Sequence, residues 1–289
     1  MPFKFDSSIS FLIIEFFKVD DTKYDLVIHL AAIVGGRATI EGNPLSVATD
    51  LAIDSDFFNW ALITRPGRIV YFSSSAAYPT KYQGTDDWVK LNESMIDLDN
   101  ISNPDLTYGW SKLTGEYLAK FVQEAGIPVH IFRPFSGYGT DQSLDYPFPS
   151  YIKRAKDRMD PFEIWGSGQQ DRNFTYVSDI VEGLKLACEN ITDCRSINIG
   201  TSEITKIADA VQTVCDIMGY KPADGFFFDT SKPEGVHARA ADTRNQELWL
   251  GWKPSVSFKD GITKTIEWYQ ANRTADELRE NFERKLFER

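Results

Sequence analysis

Two short apolar runs, Asp25-Leu-Val-Ile-His-Leu30 and Arg68-Ile-Val-Tyr-Phe72, flank a helix-like segment from Leu45 to Leu62. Each run passes directly into small residues, Ala31-Ala32 after the first and Ser73-Ser74-Ser75 after the second. A short run that is apolar on both faces suits a strand covered from both sides, as in a parallel sheet. The alternation continues, with a predicted helix from Leu106 to Glu124 and a predicted strand at Val129-His-Ile-Phe132. Repeated β-α units of this kind restrict the chain to an α/β class built on a doubly wound parallel sheet. Ligands in such sheets sit beyond the carboxyl ends of strands. The serine triplet falls at one such end and Arg133-Pro134-Phe135 at another.

Beyond Tyr146 the pattern changes. Short predicted strands (Phe162 to Trp165, Ser196 to Ile199, Phe226 to Phe228) mix with predicted helices at Val177 to Glu189 and Ile204 to Met218. This predicts a smaller α/β substrate lobe over residues 146–272, packed on a first domain over 1–145 to which later segments can return. One candidate to return is the helix predicted from Ser257 to Asn272. Residues 273–289 form a predicted amphipathic C-terminal helix, with Leu278, Phe282 and Leu286 at four-residue spacing. With 289 residues, 42% of them hydrophobic, the chain has enough apolar surface for a sizeable core.

Charge and cysteine content exclude several classes. A net charge of −11 argues against nucleic acid or an anionic membrane as partner. Cys188, Cys194 and Cys215 are odd in number and lack C-x-x-C spacing, so neither a disulfide framework nor a metal site is expected. Ile9 to Phe17 is apolar but too short to span a bilayer, and no small-residue cleavage site follows it. A cytoplasmic protein is the expectation.

Tyr108 and Lys112 stand four apart on the predicted helix and so share a face. An ammonium beside a phenol favours the phenolate, which lowers the tyrosine pKa and makes it a general base toward a sugar or alcohol hydroxyl. A serine hydroxyl beside the same oxygen can relay the proton or hold developing charge. The chemistry that needs this set is hydride transfer at a carbinol carbon, with a nicotinamide as acceptor.

These residues resemble those of the extended short-chain dehydrogenase family of NAD-dependent nucleotide-sugar epimerases and dehydratases, over roughly residues 24–272. His29-Leu-Ala-Ala32 is similar to the family's H-x-A-A strand end, and Phe72-Ser-Ser-Ser-Ala-Ala-Tyr-Pro79 to its S-S-x-x-x-Y-[GP] segment. Tyr108-Gly-Trp-Ser-Lys-Leu-Thr-Gly-Glu116 matches Y-G-x-S-K-x-x-G-E. Gly166-Ser-Gly-Gln-Gln-Asp-Arg-Asn-Phe-Thr-Tyr-Val-Ser-Asp179 is similar to G-x-G-x-x-x-R-x-[FY]-x-x-V-x-D, and Arg239 with Asp242 to a later R-x-x-D element. The resemblance implies a Rossmann-like fold in which Ser74, Tyr108 and Lys112 are catalytic. Ala31, Ala32, Ser73, Tyr108, Lys112 and Phe135 would border NAD or NADP. Ser75, Ser136, Arg172, Arg239 and Asp242 would meet a nucleotide-diphosphate sugar, with the two arginines on the diphosphate. A guanidinium suits that task through its permanent charge and paired donors. Tyr146, Phe148 and Tyr151 are further aromatics, fit for core packing or for stacking on a base. A homodimer through the Tyr108 helix and its predecessor is also implied.

Departures narrow the chemistry. Arg133-Pro-Phe ends in Ser136, where the family usually places asparagine, and Ser136 can still hydrogen-bond the substrate with altered geometry. Ser75-Ala76 stand where family 4,6-dehydratases have Asp-Glu, and Ala76 stands where double epimerases acting at C3 and C5 have cysteine. What remains is chemistry needing Ser, Tyr, Lys and nicotinamide. A 4-epimerisation through a transient 4-keto sugar is the first expectation and a 4-keto reduction the second.

The cofactor expectation meets a gap. A βαβ unit takes about 30 residues or more, and the family places a strand, G-x-x-G-x-x-G and a helix before its H-x-A-A strand. Residues 1–23 contain no glycine, and the first is Gly35. Ile9 to Phe17 is predicted as one remnant strand, with Glu15 or Asp20 as a conceivable ribose or adenine contact. A true start further upstream, a natural truncation that binds only a sugar nucleotide or a partner, and a cofactor site completed by another subunit all remain open.

Overall fold

The structure, a computed structural model, describes residues 7–144, 146–193 and 195–273. In chain order, α1 (Ser7–Val19) leads to β1 (Val27–His29), and α2 (Arg37–Gly42), α3 (Pro44–Val47) and α4 (Thr49–Thr64) to β2 (Ile69–Phe72). Then come α5 (Leu106–Glu124), β3 (Val129–Pro134), β4 (Gly137–Tyr138), α6 (Pro147–Lys156), β5 (Phe162–Trp165), β6 (Asp171–Arg172) and β7 (Thr175–Tyr176). The rest is α7 (Val177–Asn190), β8 (Ile197–Ile199), β9 (Thr205–Lys206), α8 (Ile207–Ile217), β10 (Phe226–Asp229), β11 (Ala238–Arg239), α9 (Arg244–Leu250) and α10 (Phe258–Asn272).

The main sheet has strand order β1-β2-β3-β8, and every pairing is parallel. Side chains alternate across it, as the two-residue period of a strand requires. Ile69, Tyr71, Val129 and Ile131 face α4 and α5, where they meet Phe57, Phe58, Trp60, Ala119 and Val122. Val70, Phe132, Ile197 and Ile199 face the other way, onto Ala187, Ile191 and Leu250 of α7, α9 and their flanks. Helices on both faces make this the doubly wound, Rossmann-like α/β fold expected from the sequence. The sheet continues past residue 146, because Ile197 to Ile199 pairs with β3 instead of lying in the smaller lobe. At the other edge, Leu26, Ile28 and Leu30 of the β1 segment are 46%, 43% and 64% exposed.

Ile9 to Phe17 is not a strand. It lies in α1, where Phe17 packs on Phe57 and Trp60 with ring centroids 5.7 Å away in each case. A helix satisfies its own backbone groups while one face of aromatics seats on α4. Glu15 pairs with Lys18 at 2.6 Å, and Asp20 accepts from the Tyr24 hydroxyl at 3.4 Å. Both acids are held locally.

The smaller lobe packs α6, α8, α10 and the parallel β5–β10 pair around Tyr138, Phe148, Tyr151, Phe162, Ile164, Val211, Ile262 and Ile266. Helix α10 belongs to this cluster and not to the main sheet. The amphipathic helix expected at the C-terminus lies outside the described residues, as does Cys194; Cys188 and Cys215 are free thiols. No described helix is long and apolar enough to cross a membrane.

The helix α5 is locked to β3 by a buried ion pair. Arg133 donates from Nε and Nη2 to the two Glu116 carboxylate oxygens at 2.9 and 2.6 Å, and from Nη1 to the Tyr78 hydroxyl and the Glu93 carbonyl. Side-chain exposure is 3% for Arg133 and 1% for Glu116. Removing one partner of such a pair leaves an uncompensated buried charge, so Glu116→Ala is expected to lower unfolding stability by about 3–5 kcal/mol in urea titrations.

Candidate active site

Strand β2 ends in the serine triplet, and the chain turns there. Ser74 stays extended and its Oγ accepts the N–H of Ala76 at 3.1 Å, opening a short 3-10 turn over Ser75 to Ala77. Helix α5 begins against this turn. Its Gly109 has no room for a side chain, since a Cβ would lie 2.4 Å from the Ala76 carbonyl oxygen. That oxygen also accepts the Asp105 N–H at 3.0 Å. The first turn of α5 is thus pinned to the serine loop, and the half-buried Tyr108 is hydrogen-bonded to Ser74.

Lys112, one turn further and 4% exposed, places its Nζ 5.9 Å from the Tyr108 ring centroid and 5.4 Å from that of Tyr71. The sequence-predicted triad is therefore brought together. Its protonation differs from expectation. Burial pushes the Tyr108 phenol up to about 12; the Ser74 hydrogen bond opposes this and the Asp50 carboxylate adds to it. The phenol stands among acidic neighbours, and Lys112 serves Asp50 as well.

Ser74, Ala76 and Tyr108 form one wall of a cavity of about 490 Å³. Five cationic side chains line it (Arg37, Arg154, Arg172, Arg239 and Lys232) against three acidic ones (Asp105, Glu163 and Glu234). Arg172 on β6 and Arg239 on the neighbouring β11 are brought side by side by strand register. Arg172 donates from Nη1 to the carbonyls of Asp171 and His237, and from Nη2 to Val236 at 2.7 Å. A guanidinium has five N–H donors, so its Nε–H and second Nη2 hydrogen keep one forked edge for a ligand. Burial, then Arg239 and Arg37, push the Arg172 guanidinium down to about 9. That crowding of like charge is relieved when an anion enters.

Arg37 and Asp105 escaped the sequence reading. Arg239 donates to Gln83 at 2.8 Å and to Asp105 Oδ2 at 2.6 Å, while Arg37 donates to the same Oδ2 at 2.7 Å. Burial works to raise the Asp105 carboxyl, yet the two guanidiniums hold it below the usual carboxylate range. The only sequence signal for Arg37 was its place after Gly35-Gly36, just beyond a strand end.

The remaining expected residues are dispersed. Ala31 and Ala32 lie at the end of β1, half-buried. Ser73 is 3% exposed, and its hydroxyl donates to Glu116 inside the core. Ser75 is buried in the 3-10 turn, and Phe135 is closed among Tyr78, Leu91 and Ala241. Ser136 adopts φ 39° and lies outside the cavity wall, its carbonyl accepting from Thr175. Asp242 holds Arg244 and accepts from Asn92, also away from the cavity. Tyr146 and Tyr151 line the cavity, whereas Phe148 packs in the smaller lobe's core.

Residues 11–200 match the NAD dependent epimerase/dehydratase family. The chain belongs to this family. GDP-mannose 3,5-epimerase 1 of Oryza sativa subsp. indica is 29% identical over 252 residues, 84% of this chain and 64% of the rice protein. The chain thus spans less than two thirds of that relative. An uncharacterized UDP-glucose epimerase of Bacillus subtilis, YtcB, is 33% identical over 249 residues, 84% of this chain and 74% of its own. Among solved structures, UDP-glucuronic acid 4-epimerase from Bacillus cereus, in complex with UDP-glucuronic acid and NAD, aligns with a TM-score of 0.74. Its identity is 25%, over 90% of this chain and 78% of that one.

Asp50 is a further buried acid of the site, 1% exposed. Its Oδ1 accepts the Ile33 N–H at 2.5 Å, and its Oδ2 has no hydrogen-bond partner among the described residues. Burial pushes the carboxyl up to about 6, against the Ile33 hydrogen bond and the Lys112 charge. A folded-state value above the unfolded one means that the group's contribution is fully present below about pH 4 and is lost as pH rises through about 6. Asp50→Asn keeps the acceptor for Ile33. It is expected to add stability on the order of 1–3 kcal/mol at pH 7.5 and none at pH 4, as read by thermal melts across that range.

Proposed function

We propose that this chain binds a nucleotide-diphosphate sugar and epimerises it at C4 through a transient 4-keto sugar, with a nicotinamide cofactor. The observation that carries this reading is the convergence of Ser74 and Tyr108 with Arg37, Arg172 and Arg239 on one cavity. A cationic cavity in a protein of net charge −11 is matched to a compact polyanion, and a diphosphate is one. The sugar then reaches the Ser74–Tyr108 wall, where the hydroxyl to be oxidised meets a phenol and a serine already hydrogen-bonded to each other. Tyr108 takes the proton of that hydroxyl and returns it to the reduced product, and Ser74 holds the oxygen meanwhile.

Ala76 faces the cavity with a methyl group only. Neither Cys188 nor Cys215 lines the cavity, so the acid-base group implied for 3,5-epimerisation is missing from its expected place. This supports chemistry at C4.

Tyr108 and Lys112 would hold the nicotinamide-ribose end of the cofactor. A bound oxidised nicotinamide supplies a hydride acceptor and a positive charge that draws the phenol toward its anion. Among the described residues no glycine precedes β1, and β1 is the edge strand of the main sheet.

A homodimer is part of the proposal. Trp110, Tyr117 and Phe121 share one face of α5 at 42%, 40% and 47% exposure, and neighbouring α4 exposes Leu51 and Leu62. Two such faces can bury each other. Phe121→Glu is expected to convert the dimer to a monomer in light scattering; an unchanged mass would remove this face from the interface.

Calorimetry with UDP-glucose, UDP-glucuronic acid and NAD tests the reading. Tyr108→Phe is expected to retain sugar-nucleotide affinity and lose turnover, and Arg172→Ala to weaken that affinity roughly 10- to 100-fold. Turnover that survives Tyr108→Phe refutes its role. Sugar-nucleotide binding with no NAD binding up to millimolar concentration leaves a non-catalytic binding protein.

A further inference from the structure

Asp105 stands at the start of α5 yet does not cap it. Aspartate is among the best acceptors for the free N–H groups of a helix's first turn, but no side-chain cap bond forms here. The carboxylate serves the cavity wall instead, where its Oδ2 accepts from Arg37 Nη1 at 2.7 Å and from Arg239 Nη2 at 2.6 Å. Its backbone is fixed on both sides. The Asp105 N–H donates to the Ala76 carbonyl at 3.0 Å, and its own carbonyl accepts the Gly109 N–H at 2.9 Å. One residue thus ties two cavity guanidiniums to the serine loop and to the turn of α5 that carries Tyr108.

The other acids near these arginines are employed elsewhere. Glu163 accepts from the Trp165 indole at 2.9 Å, and Glu234 from the Ser167 hydroxyl. Glu41 takes the Nε of Arg37, but it does not line the cavity and is 31% exposed, where water screens its charge. Asp105 is 6% exposed and screened far less. Burial works to raise its carboxyl, yet Arg239 and Arg37 hold it below the usual carboxylate range, so it is ionised at neutral pH.

The charge count then bears on the ligand. Five cationic side chains against three acidic ones leave the cavity lining with two net positive charges. In a nucleotide-diphosphate sugar both phosphates are esterified on each side, so each carries a single ionised oxygen, and the two signs balance. A nucleoside diphosphate has the same base and diphosphate but ends in a monoester. Such a group has a second pKa of about 6, so at pH 8 it brings one more negative charge. That charge meets no further cation and is repelled by the Asp105 carboxylate. The ligand need not touch Asp105 to sense it, since the side chains of Arg37 and Arg239 are 25% and 14% exposed.

We propose that Asp105 is a specificity-determining residue, which sets the charge of the arginine site to that of a sugar-esterified diphosphate and disfavours the free nucleoside diphosphate. The inference rests on the nucleotide-sugar reading and deepens it. The full chain is titrated by calorimetry at pH 8 with UDP-glucose against UDP and with GDP-mannose against GDP, and the pair that wild type binds better is followed. Asp105→Asn is expected to shift the affinity ratio toward the free diphosphate by about fivefold or more, because one repelling charge has gone. Asp105→Glu, which keeps the charge, is expected to hold the ratio within about twofold of wild type. A carboxylate that only braced the arginines would weaken both ligands alike in Asp105→Asn; an unchanged ratio therefore overturns the inference and leaves the nucleotide-sugar reading standing. A ratio that shifts equally in Asp105→Glu also overturns it, since charge is then not the cause. A wild-type chain that binds none of the four ligands overturns both readings. Asp105→Ser, also neutral, replaces Asp105→Asn should the latter fail to fold, and the same outcomes decide.

Discussion

The Glu116–Arg133 ion pair is the contact on which the site depends. It joins the middle of α5 to the carboxyl end of β3, while the Ser73 hydroxyl reaches the same carboxylate from the end of β2. Three elements are thereby fixed in one buried, hydrogen-bonded knot. Tyr108 and Lys112 ride on the same helix two turns and one turn before Glu116, so their distance from Ser74 follows from it. Such an arrangement stabilises little by itself, given the desolvation of both charges. Its value is geometric, since the carboxylate has few other positions in which its oxygens are satisfied.

A second constraint is electrostatic. Arg37, Arg172 and Arg239 crowd one end of the cavity with Asp105 as the carboxylate between two of them. An isolated guanidinium in this setting would be hydrated; three together are held by backbone carbonyls, the Gln83 side chain and two acids, Asp105 and Glu41. In the proposed reading, an entering diphosphate would replace mutual repulsion with charge-assisted hydrogen bonds. The catalytic wall is different in character, buried and acidic around Tyr108, with Asp50 and Asp54 nearby. Charge thus sets the cavity's arginine-rich end apart from the acidic surroundings of Tyr108.

Much of this was legible in the residues. The strands at 69–72 and 129–134 and the helix at 106–124 follow from local period, because each buries a face that its own sequence makes apolar. Ser74, Tyr108 and Lys112 were visible because their spacing is a property of one turn and one helix. The remnant strand at Ile9 to Phe17 was misread. Its apolar run is equally suited to either structure, and its seat on Trp60 and Phe57 decided for a helix. Ser73 and Asp242 carry motif positions whose polar atoms turn out to serve Glu116 and Arg244.

By itself the sequence determined the doubly wound class and singled out Ser74, Tyr108, Lys112, Arg172 and Arg239, since each depends on contacts within a few residues or on a motif. Only the tertiary structure decided the rest. It brought Arg37 and Asp105, 68 positions apart, onto one salt bridge and paired Ile197 to Ile199 with the main sheet. It also raised the Tyr108 phenol instead of lowering it. These depend on burial and on which distant groups share a cavity, and neither quantity exists until the chain has packed.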